Sequence, residues 1–234
     1  MGHTATSPEG QSTTYARANS LRATLDAHLA SRDRTAVITA ALHAIDSGII
    51  GVADTYTLVL APLLADTGSA WQHGATRVWE EHYASAAVRT IIEALAPRVI
   101  ELAAKTPARD ITVLLACPPG EYHDLGVRML FDRFLLAGYP AHFLGADTPV
   151  REISHAAETL GANLVVLSAS THYHRVALRQ VVEDLARELE PDVRIAVGGP
   201  AFARDTGWTT SDAATLLDPA AYELPGLTPD RGAP

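Results

Sequence analysis

Seven consecutive residues, Gly120-Glu121-Tyr122-His123-Asp124-Leu125-Gly126, put an imidazole two positions after a carboxylate in a loop bounded by glycines. A neutral imidazole binds a metal through one ring nitrogen, and a neighbouring carboxylate can orient the other. The loop follows an apolar run at 111–116, which reads as a buried strand, and leads into a segment of helical period. In an open α/β sheet, ligands bind at the carboxyl ends of strands. Alone the pattern is weak, because a histidine after a strand is often an ordinary surface or helix-start residue.

Two more strand ends repeat the theme. Ser168 closes the run 163–168, and Gly198-Gly199 closes the run 193–197. A His loop, a Ser loop and a Gly-Gly loop thus fall at one edge of the expected sheet. Far upstream, Gly68-x-x-Trp71-x-x-Gly74 precedes Glu81-His82 by a short interval. An aromatic wall plus one acceptor suits a nucleoside held between helices. The alternative is that Trp71 and Trp79 belong to the core while Glu81-His82 faces solvent beside Glu80.

The elements that must position these residues come in two kinds. From Ser20 to about Ala104 the period is helical. Leu21, Leu25 and Leu29 mark a first helix, and Asp33 caps a second over 34–47. A third opens at Gly51-Val52 and meets Pro62, where a kink is expected. Gly74 breaks the chain before a fourth helix over 76–96, with Pro97 as a bend or stop. Four such helices predict a bundle. From Ile111 apolar runs at 111–116, 141–144, 163–168 and 193–197 alternate with helices near 123–137, 151–160 and 173–189. That alternation predicts a doubly wound parallel sheet, with a final strand and helix between Thr209 and Leu224. The expected division is a disordered tail at 1–18, a four-helix bundle at 19–106, a Rossmann-like domain at 107–227 and a flexible tail at 228–234.

With these residues in place, the chain resembles the cobalamin-binding fold of methionine synthase, methylmalonyl-CoA mutase and their relatives. Its helical half is similar to the cap of the CarH-type cobalamin photoreceptors. The resemblance implies that His123 ligates cobalt from the lower face, that Glu121 orients it and that Gly126 closes the motif. It implies further that Ser168, Gly198 and Gly199 receive the displaced nucleotide tail, the glycines letting backbone approach it. Glu121 stands where the family usually has Asp, and Ser170 where it has Leu, which touches local tail packing. Trp71, Glu81 and His82 are implied to surround the upper axial group, adenosylcobalamin being favoured. In the CarH type a histidine directly follows the tryptophan; here Gln72 does, and His73 is one place further on. A one-residue step turns a helical side chain by about a quarter turn. His73 is the candidate upper ligand after light, with His43 as a second. Stand-alone photocobilin-like relatives also hold biliverdin, a candidate second chromophore.

Composition narrows the function. With 47% apolar and 19% charged residues the chain is an ordinary soluble protein, and its single cysteine, Cys117, fits a reducing cytoplasm. A net charge of −9 and the lack of a basic stripe argue against direct nucleic-acid binding. No apolar run reaches the length of a membrane span. Cys117 reads as a small apolar residue, His172 and His174 could border the corrin but read by default as a polar loop, and no histidine pair has zinc-motif spacing with cysteines. The expectation is a light-responsive cobalamin protein without catalytic turnover, acting through a homodimer or tetramer or a downstream signalling protein. The rival is a corrinoid methyl carrier of a methyltransferase system.

Overall fold

Leu21 and Leu25, four residues apart, are buried on one side of the first helix, α1, which spans Pro8–Ala30. The computed structural model describes residues 8–202 and 213–217, and the chain divides into two units between Glu101 and Leu102. Residues 8–18, expected within a disordered tail, form the first half of α1. Burial of Ala18 and a bond from Arg17 Nη1 to Ile49 O at 3.2 Å anchor this extension and offset the entropy of ordering a Ser/Thr-rich start. Residues 1–7, and the expected tail at 228–234, lie outside the described residues.

In the helical unit, α2 (Arg34–Asp46) is capped by Asp33, whose carboxylate accepts from Ala36 N at 2.9 Å. The next helical run joins α3 (Val52–Asp54), a π-helical turn at Thr55–Leu60 and α4 (Ala61–Gln72). The disturbance expected at Pro62 therefore takes the form of a changed ladder. Proline has no N–H to give the carbonyl four residues back, and just ahead of it Ala61 N–H reaches Tyr56 O, five residues back. Gly74, at φ +72°, ends this run. The fourth run, α5 (Val78–Ala103), continues through Pro97 rather than stopping there. Leu95 and Val99 are buried on either side of the proline, and Arg98 pairs with Asp46 of α2 at 2.6 Å. Tyr83 OH donates to Arg32 O at 2.7 Å, tying α5 to the α1–α2 turn.

The second unit is a sheet of parallel strands in the order β2-β1-β3-β4-β5: β1 (Val113–Ala116), β2 (Ala141–Gly145), β3 (Leu164–Ser168), β4 (Arg194–Gly198) and β5 (Thr215–Leu216). The helices α6 (Leu125–Leu136), α7 (Val150–Leu160) and α8 (His172–Glu188) connect the first four. Val113 and Leu115 pack with Val127 and Phe134 of α6. Leu114, Val165 and Val197 pack on the other face with Ile153 of α7 and Leu178 and Leu185 of α8. Burial on both faces explains why these strands read as unbroken apolar runs. β5 lies within the interval expected for the last strand; the helix expected after it lies outside the described residues. This is the expected Rossmann-like architecture.

The strand order decides where a ligand goes. From β1 the chain crosses to β2 on one side, then returns to place β3 on the other. The carboxyl ends of β1 and β3 therefore flank the topological switch point, where open sheets hold ligands.

Candidate functional site

The loop after β1 is held from the β2–α7 connection. Cys117 N donates to Gly145 O at 2.8 Å, and Thr148 N to Cys117 O at 2.9 Å. Both carboxylate oxygens of Asp147 clamp the loop, one accepting from Gly120 N at 2.8 Å and the other from Tyr122 OH at 3.0 Å. Asp147 N returns a bond to Glu121 O at 3.0 Å. Asp147 has φ +51° and Gly120 φ +81°, left-handed conformations that Asp and Gly tolerate best. The sequence reading passed over Asp147. Its available signal was an Asp just after a strand and before Thr-Pro, a turn-forming context. Burial pushes the Cys117 thiol up to about 12, assisted by nearby Glu121 and Asp124, so it is no nucleophile.

Glu121 is the centre of the arrangement. Its side chain is 1% exposed, and each oxygen has its own partners. Oε1 accepts from His123 Nδ1 at 2.7 Å and from His123 N at 2.9 Å. Oε2 accepts from Ser170 N and Ser170 Oγ, both at 2.7 Å, and lies 2.8 Å from His174 Nδ1. Burial alone would raise its pKa; the bonds from His123, then those from Ser170, outweigh it and hold the carboxyl down to about 2. A carboxylate only accepts, so His123 Nδ1 carries the proton and Nε2 the lone pair. The His123 side chain is 67% exposed. The result is a donor nitrogen at the switch point, oriented by a buried anion.

α6 begins at Leu125, two residues later than expected, and His123 lies in the glycine-bounded loop ahead of it, as the sequence implies. Ser170 was expected at a tail-packing position. It also joins the β3 end to Glu121, and its hydroxyl lies 3.0 Å from His123 Nδ1. His174, read as a loop residue, sits in the first turn of α8 behind its N-cap Thr171. Two imidazoles thus share one carboxylate, and the ligand atoms of Glu121, His123 and His174 lie within 4.8 Å of one another.

The glycines differ in what they do. Gly199 has φ +102°, and a Cβ there would meet Ala169 O and Ser168 Oγ at 2.5 Å. Only glycine lets the β4 end lie against the β3 end. At Gly198 a Cβ would make ordinary contact with Leu217, and at Gly126 it would meet nothing within 4 Å. Packing within the chain therefore requires neither.

In the helical unit, Trp71 lies in the last turn of α4 and Glu81-His82 in the first turn of α5, on either side of one short turn. Trp71 is 47% exposed and Trp79 also projects from the core, with Arg32 stacked on its ring at 5.5 Å. Glu81 accepts from Ser85 Oγ at 2.6 Å and lies 3.5 Å from His82 Nε2. His73 caps α4, its Nδ1 2.8 Å from Ser69 O. His43 is exposed on α2, 3.3 Å from Ser47 Oγ.

Two segments match protein-family models that are both described as B12 binding domain, residues 21–96 and residues 111–219. The chain is similar to the HTH-type transcriptional repressor CarH of Myxococcus xanthus, 30% identical over 144 residues, which are 61% of this chain and 46% of that protein. It is similar also to dimethylamine corrinoid protein 2 of Methanosarcina mazei, 31% identical over 81 residues, 34% of this chain and 38% of that one. The chain spans less than half the length of these relatives. Among solved structures, the Methanosarcina barkeri monomethylamine corrinoid protein aligns with a TM-score of 0.70 at 18% identity, covering 85% of this chain and 93% of the other, a likeness of fold. Among the described residues no helix is long and apolar enough to cross a membrane.

Proposed function

We infer, from a chain whose residues 21–96 and 111–219 match B12 binding domain models, a light-responsive cobalamin sensor that takes adenosylcobalamin and turns over no substrate. One observation carries the cofactor half of this reading: the exposed His123 imidazole whose Nδ1 is bound to buried Glu121 at 2.7 Å. That donor set suits a borderline metal that accepts imidazole. The close approach of β3 and β4 at Gly199, where a Cβ would collide with Ser168 Oγ, suits the tail. Cobalamin, when bound, supplies a cobalt–carbon bond that green light cleaves.

The chain's own residues do the rest. His123 Nε2 would donate its lone pair to the metal, while Glu121 keeps the proton on Nδ1. Ser170 and His174 hold Glu121 in place from the β3 side. In the helical unit Trp71 offers an apolar wall to the adenosyl group and Glu81 an acceptor for its ribose or base, with His82 beside it. After light His73 is the candidate ligand; its Nδ1 faces Ser69 O, so a metal would be taken through Nε2. With the upper group gone, the helices of this unit would repack, and the change would pass to self-association as a dimer or tetramer, or to a downstream signalling protein.

The sensor half of the reading is supported by the likeness of Trp71 and Glu81-His82 to the CarH-type cap, and by the longer match to CarH. The match to a dimethylamine corrinoid protein favours a second reading, a corrinoid methyl carrier. An absorption spectrum of protein reconstituted with adenosylcobalamin, in the dark and after green light, separates them. A stable dark adduct that shifts irreversibly on illumination is expected. Light-indifferent exchange of methylcobalamin with a methyltransferase would sink the sensor and leave the carrier. Added red absorbance with biliverdin would identify a second chromophore.

A further inference from the structure

The first turn of α8 carries neighbouring polar side chains with different partners. His174 goes to Glu121. Arg175 is only 8% exposed, and its guanidinium lies 2.8 Å from His172 Nδ1 and donates to Ala201 O at 3.4 Å. Both of these acceptors are neutral, and among the described residues no carboxylate pairs with Arg175. A guanidinium keeps its charge at every pH the protein meets, and a buried charge is stable when paired. Among the described residues this cation lacks an anion.

Its surroundings say which anion. Ala201 follows Gly199 by two residues, and its N–H donates to Ala169 O at 3.1 Å. Ala169 N in turn donates to Gly198 O at 2.9 Å, beside the contact between Gly199 and Ser168. Arg175 thus holds the strand-end layer assigned above to the nucleotide tail. His172 adds a second donor. With Arg175 donating into Nδ1, the proton of its neutral ring sits on Nε2, and the residue is exposed.

We propose that Arg175, with His172 beside it, binds the phosphodiester of the cofactor's nucleotide tail and selects complete cobalamin over corrinoids lacking that phosphate. The fork of the guanidinium matches two phosphate oxygens, and the single negative charge of the diester offsets the buried cation. This inference rests on the cobalamin reading, and its test separates the two.

The full chain and its Arg175→Gln and Arg175→Lys variants are titrated with cobinamide, cobinamide phosphate and hydroxocobalamin, with binding followed by absorption. In the parent protein, adding the phosphate to cobinamide tightens binding by roughly tenfold or more, the size of a charge-assisted bond. In Arg175→Gln that gain disappears while cobinamide binds as before, which also shows the variant is folded; Arg175→Lys keeps part of the gain. A phosphate gain that survives in Arg175→Gln, or an equal loss for all three ligands, overturns the proposal. A parent protein that binds none of them overturns the cobalamin reading along with it.

Discussion

The lower-ligand site of the sheet unit and the Trp71–Glu81 end of the helical unit are built on opposite terms. Around Glu121, side chains from the β1 loop, the β3 loop and α8 converge on one buried carboxylate, and Asp147 clamps the loop from the β2 side. Around Trp71 the nearest polar groups hold their own helix, His73 facing Ser69 and Glu81 accepting from Ser85, while exposed Arg32 of the α1–α2 turn reaches Glu80 and Trp79. A metal ligand gains from being fixed before binding, since the ordering cost is then met during folding. On the proposed sensor reading, a cap that responds to loss of an upper group gains from weak local ties. The comparison teaches that rigidity resides around Glu121 and His123 and adaptability around Trp71.

The largest expected effects fall on the rigid side. His123→Ala abolishes the histidine-ligated cobalamin spectrum and weakens binding by more than roughly a hundredfold, while Glu121→Gln keeps the ligand and costs about ten- to a hundredfold. Both follow from absorbance titration. Glu121 also sets an acid limit. Its folded pKa of about 2 lies below the ordinary 4.5, so its contribution to stability is fully present above pH 4.5 and lost as pH falls toward 2. Thermal melts of Glu121→Gln should lack that acid-dependent loss; a parallel decline in both proteins would break the assignment.

Next come the glycines. Gly199→Ala, strained at φ +102° and clashing with Ser168, destabilises the sheet unit by about 2 kcal/mol or more in urea unfolding. Gly126→Ala lies in α6 with open space around it and stabilises by about 0.5 kcal/mol, yet weakens cobalamin binding. Unchanged cofactor affinity in Gly126→Ala would remove this residue from the site.

The smallest effect is expected on the adaptable side. Trp71→Ala leaves unfolding within about 0.5 kcal/mol of the parent, because the ring is half exposed. It lowers the preference for adenosylcobalamin over methylcobalamin by roughly fivefold, the scale of one aromatic contact. A large loss of stability would instead make Trp71 a core residue and weaken the contrast drawn here.

Much of this was legible in the chain. The apolar runs located β1 to β4 to within a few residues: β1 and nearly all of β3 are buried and apolar throughout, while the edge strand β2 carries His142 and β4 opens on exposed Arg194. Asp33 announced its cap by type and spacing. The two prolines were harder, since a proline's effect depends on its neighbours: Pro62 follows a π-helical turn, while Pro97 sits within a continuous helix braced by buried Leu95 and Val99. The contacts of His174 with Glu121, of Asp147 with Gly120 and of Arg175 with Ala201 were out of reach, because the partners lie 53, 27 and 26 positions apart along the chain.

By itself, then, the order of residues determined the element types, the alternation that makes a parallel sheet, and a histidine two places from a carboxylate at a strand end. Those follow from local period and from chemistry within a few residues. Only the tertiary structure decided that β1 and β3 flank the switch point, that Ser170 and His174 close on Glu121, and that Arg175 is buried without an acid among the described residues. The reason is that strand order and burial are set by long-range packing, which brings together residues whose spacing along the chain holds no sign of their contact.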